Sequence, residues 1–80
     1  MKIKLNTIEN VNNFVKISSK YHDSEIVIEQ DRYRVDGKSI LGIFSLNLLD
    51  PVKVIIDSEN DNSKISFYND IERWKENSDD

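Results

Sequence analysis

Cysteine is absent from this 80-residue chain, which removes a disulfide framework and any thiolate metal site. Histidine occurs once, as His22, so no second imidazole or thiolate is at hand to complete a metal centre. With one proline and two glycines there is no linker, repeat or low-complexity segment to divide the chain. No apolar run is long enough to span a bilayer, and Met1-Lys2 leads into alternation, not the apolar core of a signal peptide. A soluble, cytoplasmic protein without membrane contact is the expectation. Positive charge is also short: 11 Lys and Arg stand against 15 Asp and Glu, a formal net charge of −4. General nucleic-acid binding needs the opposite balance, because counterions are displaced by a positive field. Nor can Ser39, Ser45 or the carboxylates be organised into a nucleophile and base around a second histidine, so the chain reads as a non-enzyme.

What remains is one small domain, burying only about 60% of its unfolded surface. It is expected to span residues 1–75, with 76–80 a frayed acidic tail that includes Glu76, Asp79 and Asp80. Met1, Ile3 and Leu5 alternate with Lys2, Lys4 and Asn6 as in a half-buried strand. Thr7 then offers an N-cap, Glu9 suits the first turn, and Ile8, Val11, Val15 and Ser18 trace one helical face that Phe14 widens. That helix should fade near Tyr21-His22-Asp23. The β-branched run Ile26-Val27-Ile28 and the pair Tyr33 and Val35 make a hairpin that reverses near Gln30-Asp31. Asp36-Gly37 turns the chain into a short helix capped by Ser39. Pro51 closes the connector that follows, and Val52, Val54 and Ile56 alternate in a fourth strand. Asp57 to Asn62 reads as a polar loop, and Ser63 as the cap of a last helix striped by Ile65, Tyr68, Ile71 and Trp74 and broadened by Phe67. The order β-α-β-β-α-β-α predicts an α+β, open-faced two-layer sandwich: a four-stranded antiparallel sheet covered on one face by three helices. Val15, Ile26, Val35, Ile43, Val54 and Ile71 are the expected core.

The most informative stretch runs from Val35 to Leu46. It places Lys38-Ser39 at a helix start and then five large apolar residues in seven positions. A short helix docks through a single stripe, which Ile43 and Leu46 supply. Ile40, Leu41 and Phe44 point to another face, so part of that set should stay in water and form a protein-docking patch beside Ser39. Two other readings of this region fail. Gly37-Lys38-Ser39 matches the end of a phosphate-binding loop, but Arg32 stands where the pattern needs glycine, and a hairpin precedes it instead of a strand of a parallel sheet. His22 lies near a helix end, where an imidazolium suits the dipole, with Lys20 as the nearest cation in sequence and no glycine-framed anion nest.

Gly37-Lys38-Ser39-Ile40-Leu41-Gly42-Ile43-Phe44-Ser45-Leu46 also resembles, without a gap, the regulatory-serine helix of HPr, the small phosphocarrier of the bacterial phosphotransferase system. The likeness continues through Phe14-Val15-Lys16 and through Pro51-Val52-Lys53-Val54-Ile55-Ile56, and HPr has the same order of elements. The resemblance implies Ser39 as a regulatory phosphorylation site and Ile40, Leu41 and Phe44 as a surface met by protein partners. Those partners would be an HPr kinase/phosphorylase, a LacI-type regulator or phosphotransferase enzymes. The phosphocarrier motif does not carry over: counted back from Phe14, its histidine falls on Thr7 and its arginine on Glu9. The expectation is therefore a monomeric, cofactor-free, regulatory HPr-like module of catabolite repression. A phosphocarrier working through His22, and an interaction module unrelated to sugar transport, are the alternatives.

Overall fold

The computed structural model describes residues 1–76. Its elements are β1 (Lys2–Ile3), α1 (Ile8–Ser19), β2 (Ser24–Gln30), β3 (Tyr33–Asp36), α2 (Ile40–Phe44), β4 (Val52–Ser58) and α3 (Asp61–Ile71), with a 3-10 turn over Glu72–Trp74. The strands form one antiparallel sheet in the order β1-β4-β2-β3. The α+β two-layer reading is what the chain adopts.

The central pair β2·β4 shows how alternation builds the core. Ile26 faces Ile56 and Ile28 faces Val54 across the ladder, and all four side chains are buried beneath the helices. The neighbouring positions Glu25, Lys53 and Asp57 reach water on the open face. There Glu29 pairs with Arg34 at 2.7 Å. Above the sheet, the Phe14 ring of α1 meets Phe67 of α3 edge-on, with centroids 6.1 Å apart, and the Tyr21 ring meets the same Phe67 at 5.3 Å.

Four expectations move. First, the α1 stripe is rotated: Val11, Phe14, Ile17 and Ser18 are buried, whereas Ile8 is exposed in the first turn and Val15 is half-buried. On α3, Phe67 and Ile71 carry the packing and Ile65 is exposed. Val35, expected in the core, is half-buried on the short edge strand; Ile26, Ile43, Val54 and Ile71 are core as expected. Second, β1 ends at Ile3, because the chain must leave the sheet to reach the α1 cap. Leu5 remains buried, and Lys4 donates its amide to Trp74 O at 2.9 Å. Third, β4 continues to Ser58, which pairs with Ser24, so the polar loop shrinks to Glu59-Asn60. Fourth, α3 is capped by Asn60, whose side chain accepts from the amides of Asn62 and Ser63. Ser63 instead donates its hydroxyl to Asp23 Oδ2 at 2.9 Å.

The hairpin turns through Asp31 and Arg32, with Gln30 paired to Tyr33. Asp31 takes φ 54°, a left-handed geometry that a short polar side chain tolerates. At the other end of the sheet, Lys75 bridges to Ile3 and Glu76 donates its amide to Lys2 O at 2.9 Å. The remainder of the expected tail, residues 77–80, lies outside the described residues.

Two kinds of stability measurement follow. Ile43→Ala, at a fully buried site, should cost about 2–5 kcal/mol in urea unfolding. Ser18→Ala should gain about 1 kcal/mol, because the buried Ser18 Oγ has no hydrogen-bond partner among the described residues. Asp23 generates the other. Its carboxylate accepts from Ser24 Oγ and Ser63 Oγ, which holds its pKa below the ordinary value of 3.8. A depressed folded-state pKa contributes stability above the ordinary value, and that stability is lost as pH falls through the folded value. Asp23→Asn should therefore flatten the decline in Tm below about pH 4, read by thermal unfolding across the acid range.

Candidate functional site

α2 is five residues long, too short to hold itself together in water, so its neighbours must define it. Its start is built by the turn out of β3. Gly37 donates its amide to Ile26 O at 2.7 Å, Lys38 N donates to Asp36 Oδ1 at 2.8 Å, and Ser39 N donates to Asp36 O at 3.0 Å. Gly37 serves close approach here: its φ is not positive, but a Cβ would collide with Ile26 Cγ2. Ser39 then takes an extended conformation (φ −104°, ψ 111°), and its Oγ accepts from Gly42 N at 3.2 Å. At the far end Ser45 donates its hydroxyl to Gly42 O at 2.6 Å.

The two faces expected of this helix are present. Ile43 is fully buried and Leu46 joins it in the core. On the other side Leu41 is 80% exposed, Phe44 40% and Ile40 37%. Ser39, half-buried, lies at the start of the same turn as Ile40 and Leu41. The helix carries no acidic residue in its first turn and no basic one in its last, so its accessible face is apolar and uncharged.

The other candidates sit apart. Thr7 caps α1, accepting from Asn10 N at 3.0 Å, and Glu9 lies in the first turn of that helix. His22 is exposed beyond the opposite end of α1, a helix of 12 residues and hence roughly 18 Å in length. Nothing in the fold brings His22 to the Thr7 end. Among the described residues no group of three or more His, Cys, Asp or Glu is placed to hold a metal ion, and no helix is long and apolar enough to cross a membrane.

Two supports of the site were not foreseen. Lys38 Nζ donates to Tyr21 O at 2.7 Å and to Ser24 O at 2.8 Å. Beyond the helix, Gln30 Nε2 donates to Asn47 O at 2.6 Å while Asn47 N donates to Gln30 Oε1 at 2.8 Å. The turn so fixed presents Leu49, which is exposed. The spacing of Asn47 and Asp50 around that turn, now joined by Asn47 Nδ2 to Asp50 Oδ2 at 3.1 Å, was the one local signal for it.

The family model described as the phosphotransferase-system HPr component phosphorylation site matches residues 9–66. The chain belongs to the HPr family. Among solved structures it is similar to HPr-C-His from Thermoanaerobacter tengcongensis, at 26% identity and a TM-score of 0.71 over 90% of this chain and 89% of that one. The fold also matches a phosphocarrier HPr from Bacillus anthracis (20% identity, TM-score 0.64, 89% and 93% covered). A third match is Crh, the catabolite-repression protein of Bacillus subtilis, described as a swapped-domain dimer (22%, 0.63, 91% and 85%). A search of curated proteins gives no significant match. The matched family region contains Ser39 and the whole of α2 but begins two residues after Thr7.

The geometry sets the cost of changing this site. Ser39→Ala should lose about 1 kcal/mol of stability with the cap, whereas Ser39→Asp, which keeps a cap acceptor, should lose less. Leu41→Ala should stay within about 0.5 kcal/mol of the parent, because that side chain is in water. Urea midpoints of the three variants check all of this.

Proposed function

We propose that this HPr-family protein is a regulatory, protein-binding module of the phosphotransferase system that carries no phosphoryl group on histidine and catalyses no reaction of its own. The observation that carries the reading is the apolar outer face of α2, with Ile40, Leu41 and Phe44 in water beside Ser39. Three large apolar side chains on one exposed turn cost solvation and are usual where a partner covers them. Ser39 is the switch: phosphorylation there adds a charge of about −2 and three acceptor oxygens next to that face. Partners bound by apolar contact alone would be weakened, and partners presenting arginines strengthened. An HPr kinase/phosphorylase would supply the group, and a LacI-type regulator would read it, in the cytoplasm and with the module acting as a monomer.

Against phosphocarriage stand the two groups at the α1 start. Thr7 Oγ1 is committed to the Asn10 amide, and Glu9 would repel an incoming phosphoryl anion. The likeness of Crh, named for catabolite repression, agrees with a regulatory role.

Incubation with HPr kinase/phosphorylase and ATP should add one phosphoryl group, absent in Ser39→Ala. Incubation with phosphoenolpyruvate and the general phosphotransferase enzyme should add no acid-labile label. Label that disappears in His22→Gln would instead make the protein a phosphocarrier. Phe44→Ala should weaken binding to the LacI-type regulator by about tenfold, measured by calorimetry with the phosphorylated protein. Unchanged affinity would move the docking surface elsewhere.

A further inference from the structure

We infer that Lys38 is the positioning residue of the docking helix: its ammonium latches the start of α2 to the α1–β2 connection, and it is not a charge offered to partners. The inference rests on the functional reading above, since it concerns how that same face is held. Three observations carry it.

The first is where the ammonium goes. Lys38 immediately precedes the Ser39 cap, yet its Nζ turns inward and donates to two carbonyls, Tyr21 O at 2.7 Å and Ser24 O at 2.8 Å. The two acceptors bracket the connection between α1 and β2: Tyr21 follows the Lys20 C-cap and Ser24 is the first residue of the strand. The side chain is half-buried, so its freedom is already spent.

The second is what those carbonyls belong to. Tyr21 is the hub of the helical layer: its ring packs on Phe67, and its hydroxyl donates to Asp70 Oδ2 at 2.7 Å and lies 2.9 Å from Ser66 Oγ. Ser24 opens β2 and pairs with Ser58 of β4. One ammonium therefore ties α2 to α1, α3 and the central strand pair.

The third is how little else holds α2. The helix has one buried residue of its own, Ile43, and a single turn of backbone bonds. At its far end the anchor is the two-way Gln30–Asn47 bond, which is exposed to water, whereas both Lys38 bonds are partly buried. Removing the donor takes one partly buried bond from each of two carbonyls, with Tyr21 O keeping only the Ser24 amide at 3.2 Å, a larger loss than breaking a solvated bond. The orientation of Ile40, Leu41 and Phe44 consequently depends on a side chain outside the patch.

Amide hydrogen exchange on the full chain tests the latch, using Lys38→Met, Lys38→Arg and, as a charge control at the α1 end, Lys20→Met. In Lys38→Met the Gly42 and Ile43 amides, which bond to Ser39, should exchange roughly tenfold faster while the β2·β4 amides stay within about twofold of the parent. Lys38→Arg should restore most of the protection, and Lys20→Met should change neither set. Unaltered Gly42 and Ile43 exchange in Lys38→Met, or equal acceleration in the sheet, would overturn the assignment. Phosphorylation of Ser39 by the kinase supplies a second reading. Lys38→Met should raise KM at low and high salt alike, because a loosened platform is not a screened charge contact; an effect that vanishes at high salt would make Lys38 a partner contact instead. If Ser39 accepts no phosphoryl group at all, the functional reading fails while the exchange result still decides the latch.

Discussion

The contact between Gly37 and Ile26 is the constraint on which the exposed face depends. The chain leaves the edge strand at Asp36 and must turn back over the sheet at once, and it does so with its amide 2.7 Å from the Ile26 carbonyl. Ile26 is a core residue facing Ile56, so it cannot retreat to make room. Only a residue without a Cβ fits there. Given that close passage, Asp36 is placed to take the amides of Lys38 and Ser39, Ser39 caps the helix, and Ile43 enters the core. A bulkier residue at position 37 would displace the whole sequence of contacts, and with it the direction in which Leu41 and Phe44 point.

The helix that results is a compromise between two demands. Burial of Ile43 and Leu46 holds it down, and burying Ile40, Leu41 or Phe44 as well would require a further layer outside the helices, which the described residues do not supply. The apolar face is thus left in water by geometry, and the fold tolerates it because polar anchors hold both ends of the helix. Gly42 fits the same logic from inside the turn: a Cβ there would press on Val35 Cβ and Ser39 Oγ, each at 3.3 Å, so a side chain would crowd both the β3 contact and the cap.

How far the sequence could be read depended on whether a contact was local. The order of elements, the Thr7 and Ser39 caps and the division of α2 into two faces all follow from spacings within one turn, and all are present. The first-helix stripe was misplaced because Ile8, Val11, Val15 and Ser18 satisfy helical periodicity as well as Val11, Phe14, Ile17 and Ser18 do; what decides is the demand of Phe67 for the Phe14 ring. The cap of the last helix was misplaced for a related reason. Asn60 and Ser63 are both good capping residues, and Ser63 is drawn off by Asp23, forty residues away in sequence. Lys38 to Tyr21 and Gln30 to Asn47 each span seventeen residues and join a side chain to a backbone group, so no pattern in composition or period could reveal them.

The allocation of cations also decides what a phosphoryl group on Ser39 would meet. The nearest basic residue in sequence is Lys38, and its ammonium is already shared between two carbonyls. The helix itself offers no basic side chain in its last turn. A dianion at Ser39 would gain from the amides of the first turn, as any acidic group does there, while the Lys38 ammonium stays engaged elsewhere. Its remaining oxygens would face outward beside Ile40 and Leu41, in a setting where apolar surface lowers the effective dielectric and strengthens whatever pairs with them. With Lys38 so engaged, guanidinium groups brought by a partner would have exposed phosphoryl oxygens to pair with, which is the condition for a modification to act as a selector among partners as well as on the fold.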